Sequence, residues 1–106
     1  MADRRLGLLL SAPPSHPSVE TVVQLAQAAL RRGVEVYIYL IDEGVKAATD
    51  QRYLNLIDAG VKMSICAYGC QQYGVPTISV DSRASLSGLV VLSGIIDGCD
   101  RFLAFT

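Results

Sequence analysis

One pattern recurs three times in the chain and limits its fold more than any other. It appears as Leu30-Arg31-Arg32-Gly33-Val34-Glu35-Val36, as Ile57-Asp58-Ala59-Gly60-Val61-Lys62-Met63 and as Ile96-Asp97-Gly98-Cys99-Asp100-Arg101-Phe102. Each copy reads as a helix end, a glycine stop and an immediate strand start. Tight αβ connections of this kind join successive βα units, which require a parallel sheet with right-handed crossovers and helices on both faces. The expected fold is α/β, a three-layer α/β/α sandwich on a mainly parallel sheet of about five strands. A chain of 106 residues holds one such domain, residues 1–106, and buries enough surface to need no disulfide or metal staple.

Taken in order, Arg5 to Ala12 is a continuous apolar run closed by Pro13-Pro14, as in a strand covered on both faces. Ser18 is placed to cap a helix whose Val19, Val22, Val23, Ala26, Ala29 and Leu30 recur at helical spacing, with Gly33 as its stop. Val34 to Ile41 is rich in β-branched and tyrosine residues and predicts the second strand. Val45 to Asp50 reads as loop or helical turn, and Gln51 to Ala59 as a helix ended by Gly60. A short third strand then runs into Cys66. Beyond it the pattern predicts an extended piece at Thr77 to Val80, a loop at Asp81 to Arg83, a helix from Ser85 to Asp97, and a last buried strand from Asp100 to Phe105. The apolar residues of that last helix wrap beyond a one-sided stripe, which suits a subunit contact.

Composition narrows the function classes. A net charge of -1 gives no electrostatic warrant for direct DNA binding. The longest apolar run, Leu89 to Ile96, is far short of the roughly 20 residues of a membrane span, and Leu6 to Leu10 is too short for a secretory h-region. Three cysteines are an odd number without framework spacing, so reduced thiols in a cytoplasmic setting are the default. No dinucleotide, P-loop, hydrolase-elbow or metalloprotease motif is present, and the sequence implies no cofactor and no metal.

In a parallel α/β domain the loops after strands gather at one edge, which here should collect Pro13 to Pro17, Asp42-Glu43, Cys66 to Cys70 and Asp81 to Arg83. Cys66 falls at the junction of strand and helix, where unpaired N–H groups and a dipole end favour an anion. It reads either as a nucleophilic thiolate whose pKa the helix start lowers, able to carry a persulfide sulfur, or as a small buried residue at a strand end. Cys70, one helical turn later, reads as a resolving thiol or as packing. His16, Asp42, Glu43, Tyr68 and Arg83 are the remaining candidates at the substrate edge, and His16, Asp42, Glu43 and Arg83 have an ordinary loop or cap role as their alternative. Cys99, in a helix-to-strand turn, belongs to the opposite edge.

The order of these pieces resembles the DsrE/DsrF/TusD-like sulfur-relay family. The resemblance rests on the first strand and its proline loop, the helix ending Arg31-Arg32-Gly33-Val34, the strand ending Asp42-Glu43-Gly44-Val45, the run Gly60 to Cys66, and the closing Cys99 to Phe105. It implies a small cytoplasmic protein that accepts a persulfide from a sulfur donor protein and relays it to an acceptor, in tRNA thiolation or sulfur oxidation. It further implies sulfurtransferase-type activity and a homo-oligomer, trimer or hexamer, or a hetero-oligomer with related subunits. Cys66 matches the position of the family's sulfur-carrying cysteine, and Cys70 a second cysteine found in some members. Two other classes remain open on the residues alone: a structural or small-ligand-binding subunit with inert thiols, and a thiol redox sensor working through Cys66 and Cys70.

Overall fold

In the computed structural model, which describes residues 4–106, strands β1 (Arg5–Leu10), β2 (Glu35–Leu40), β3 (Lys62–Cys66), β4 (Ser85–Ser87) and β5 (Arg101–Phe105) form one sheet in the order β4-β3-β2-β1-β5. Every pairing is parallel. Helices α1 (Pro17–Arg31), α2 (Gln51–Asp58), α3 (Ala67–Gln72) and α4 (Leu89–Gly98) connect them, together with a 3-10 helix over Asp42–Thr49 and a shorter one over Thr77–Ser79. The expected α/β sandwich with a parallel sheet of five strands is what the chain forms.

The strand order explains the layers. From β1 to β4 each strand is added on the same side, so right-handed crossovers carry α1 and α2 over one face; the return from β4 to β5 reverses direction and puts α4 on the other. Side chains alternate accordingly. Leu8, Leu10, Val36, Ile38, Leu40, Met63 and Ile65 are buried on the first face with Val19, Val22, Val23 and Ala26 of α1 and Leu56 of α2. Tyr53 of α2 is buried with them, and its hydroxyl donates to the Val19 carbonyl at 3.0 Å. On the second face Gly7 leaves room for Ile95, Cys99 and Phe102. Ile95 is the one buried residue of α4.

Two copies of the repeated pattern turn as expected. Gly33 and Gly60 have φ of 76° and 107°, a left-handed conformation that closes α1 and α2 and drops the chain into the next strand. The third copy differs: Gly98 is the last residue of α4, and extended Cys99 makes the turn.

Other local expectations are revised. α1 is capped by His16 rather than Ser18, because the helix starts at Pro17, two residues earlier than a Ser18 cap implies, and the His16 Nδ1 accepts the Ser18 N–H at 3.0 Å. The segment left open between loop and turn is a 3-10 helix. Thr77 to Val80 is no strand: Ser79 donates to the Pro76 carbonyl through its N–H at 3.0 Å and its Oγ at 2.6 Å, closing a tight turn. The fourth strand is instead Ser85–Ser87, which the helix expectation had absorbed; pairing with the open edge of β3 overrides helical spacing there. β5 is an edge strand with Leu103 and Ala104 exposed, not a buried one, since only β1 pairs with it.

Candidate functional site

Cys66 leaves the β3 ladder with extended backbone angles and becomes the N-cap of α3. Its Sγ accepts the Gly69 N–H at 3.3 Å, a sulfur doing the work usually given to a Ser or Asp oxygen. The residue is 7% exposed, so the thiol sits just beneath the surface at the carboxyl edge of the sheet. Gly69 is required by close approach: a Cβ there would lie 2.9 Å from Val45 Cγ1 and 3.5 Å from both the Asp42 nitrogen and Cys66 Cβ. α3 is thereby pressed onto the 3-10 helix that follows β2. Cys70, one turn on, is fully buried, and burial, followed by the neighbouring Cys66, pushes its thiol pKa up.

Beneath Cys66 lies a polar strip on the second face of the sheet. Tyr39 is in register with Ser64, and Cys66 with Ser87, so all four side chains point to the same side of three neighbouring strands. Tyr39 is fully buried, with its hydroxyl 3.3 Å from the Ser87 carbonyl and 3.2 Å from that of Gly88. Burial, and then the adjacent Cys66 sulfur, push its pKa up to about 12. The Ser87 Oγ is buried and has no hydrogen-bond partner among the described residues. A sulfur at Cys66 is thus served by one main-chain N–H, with hydroxyl groups along the strip next to it.

The other sequence candidates divide between the edges. Tyr68 stands beside Cys66 and is 70% exposed. Asp42, at φ 52°, begins the 3-10 helix against α3, and Glu43 pairs with Lys46 at 3.2 Å. His16 shares the carboxyl edge but follows β1, two strands from β3, with its Nδ1 occupied as the α1 cap. Arg83 is a correction: its loop precedes β4 instead of following a strand, which carries it to the amino edge. There it pairs with Asp58 at 2.8 Å and Asp81 at 3.0 Å, and this pairing holds the Asp81 carboxyl down to about 2. Cys99 sits at the amino edge, as expected, in a pocket with Arg5 and Tyr37. Among the described residues no three His, Cys, Asp or Glu side chains gather as a metal ion requires.

Sequence reasoning missed Tyr39 and Ser87. Tyr39 becomes a neighbour of Cys66 only through strand register, which has no one-dimensional signal. Ser87 had one, in the alternation Ser85-Leu86-Ser87.

The fold has clear counterparts among solved structures. The ychN protein from E. coli superposes with a TM-score of 0.83 at 18% identity, covering 98% of this chain and 100% of that one. A conserved protein of unknown function, BT1422 from Bacteroides thetaiotaomicron, gives 0.79 at 16% identity over 95% of this chain and 94% of its own. MTH1491 from Methanobacterium thermoautotrophicum, also of unknown function, gives 0.76 at 14% identity over 95% and 99%. At such identities the likeness concerns the fold. No curated protein matches the sequence significantly. Residues 4–105 match the model of the DsrE/DsrF-like family, and with nearly the whole chain matched, the protein belongs to that family.

Proposed function

We propose that the protein is a sulfur carrier in which Cys66 accepts a persulfide sulfur from a donor protein and hands it to an acceptor. The Cys66 thiolate attacks the outer sulfur of the donor's persulfide, the new S–S bond forms as the old one breaks, and the donor leaves as a thiolate, with no external oxidant or reductant. The acceptor repeats the exchange. The observation that carries this reading is the Gly69 N–H aimed at Cys66 Sγ at 3.3 Å, at the sheet edge where parallel α/β proteins open to ligands. Cys70 is fully buried, and in this reading it supports α3 while Cys66 alone carries sulfur. Such a carrier works where thiols stay reduced, which is consistent with a cytoplasmic setting.

The same proposal includes self-association. Leu89, Val90, Val91 and Ile96 of α4 are exposed with Leu103 of β5, an apolar face that a second copy of the chain, or a related subunit, would cover.

Intact-protein mass spectrometry after incubation with glutathione persulfide tests the carrier assignment. The expected result is a gain of one sulfur atom that is reversed by reductant, persists in Cys70→Ser and is absent in Cys66→Ser. An adduct that survives in Cys66→Ser, or no adduct in the wild type, overturns it.

A further inference from the structure

A second concavity lies at the amino edge of the sheet, remote from Cys66. It encloses about 530 Å³ between the starts of β1 and β5 and the last turn of α1, and among the described residues Arg4, Arg5, Arg32 and Arg101 line it together with one carboxylate, Asp100. Four of the nine basic residues of a chain with net charge -1 are therefore collected at one hollow.

Their charges are poorly compensated. The α1 carbonyls that would otherwise attract cations are taken by main-chain donors: Arg32 and Val34 donate to Ala29, and Gly33 to Leu30, each at 3.0 Å. Asp100 spends Oδ2 on the Arg5 N–H at 2.8 Å. Arg5 reaches Glu35 through Nε only, at 3.1 Å, and Arg101 donates to the Asp100 carbonyl at 3.0 Å. Arg4 and Arg32 form no ion pair among the described residues. Like charges gathered around one hollow repel one another, and a multivalent anion relieves that repulsion while matching the planar forks of the guanidinium groups.

The shape selects the kind of anion. The hollow is within the range of small-molecule sites, about 300 to 1,000 Å³, and Leu6 and Val34 give it an apolar wall beside the arginines. We infer that this groove binds a phosphorylated small molecule of nucleotide size, the phosphates held by Arg4, Arg32 and Arg101 and the less polar part lying against Leu6 and Val34. The site is separate from the sulfur-carrying reading and does not depend on it.

The test is a titration of the full chain with a fluorescent N-methylanthraniloyl-ADP probe, competed by pyrophosphate. Saturable binding is expected, weakening as salt is raised and falling at least about tenfold in Arg32→Glu and in Arg101→Glu. Arg83→Glu, at the far side of the sheet, makes the same change in net charge and should leave binding within about twofold. Circular dichroism checks that each variant is folded. Equal losses in all three variants, no saturable binding in the wild type, or binding to a single-stranded RNA oligomer but not to the ADP probe or pyrophosphate overturns the inference.

Discussion

The buried hydroxyl of Tyr39 stands beside the Cys66 thiol and within 3.3 Å of the Ser87 and Gly88 carbonyls, so one side chain of β2 reaches past β3 to the end of β4 and the N-cap of α4. Tyr39→Phe keeps the ring and removes the only side-chain donor those carbonyls have among the hydrogen bonds described. A loss of about 1 to 2 kcal/mol is expected, read as a lower urea midpoint at unchanged slope. An unchanged midpoint would show that the hydroxyl contributes nothing to the joint.

The same residue makes stability sensitive to alkali. Its folded pKa, near 12, lies above the unfolded value of about 10, so the folded state holds the proton more tightly. The contribution is therefore complete below about pH 10 and is lost as pH rises towards 12, on the order of 2 kcal/mol in all. Urea midpoints between pH 9 and 12 should fall more steeply in the wild type than in Tyr39→Phe; parallel curves would contradict this.

Gly69 holds α3 against the 3-10 helix. Gly69→Ala brings a methyl group to 2.9 Å from Val45 Cγ1, and α3 must lift, at an expected cost of about 1 to 3 kcal/mol. Combining it with Val45→Ala should recover part of the loss, so the double variant is more stable than the two single effects added together. Strict additivity would place the strain elsewhere.

Val90 is 87% exposed on the apolar face of α4. Val90→Asp should reduce the molar mass measured by light scattering to that of a smaller species, with the far-ultraviolet circular dichroism unchanged. If the wild type is already monomeric, or the variant assembles equally well, that face is not the subunit contact.

The first three strands and two helices could be read from the sequence because local signals agreed there. The β1 run is bounded by prolines, α1 has a clear apolar stripe, and Gly33 and Gly60 stop their helices as glycines in the left-handed region do. Cys66 was legible for the same reason, as the end of a strand followed at once by a helix. The later half was less so. Ser85 to Asp97 carries an apolar pattern that helix and strand share, and only the unpaired edge of β3 decides that Ser85–Ser87 extends; that choice in turn moves Arg83 to the other edge. Tyr39 beside Cys66 is a product of register between β2 and β3, a long-range fact that no window of sequence contains.

β5 lies beside β1 in parallel register, Leu10 opposite Phe105, and Ser11 donates to the Phe105 carbonyl at 2.9 Å. The carboxyl end of β5 consequently opens on the rim that carries Cys66, whereas Arg4, just ahead of β1, stands on the arginine-lined rim. A carboxy-terminal affinity tag would therefore leave the sheet on the rim of the thiol, three strands along from Cys66 and away from the groove, so it suits an assay of the groove better than one of sulfur loading.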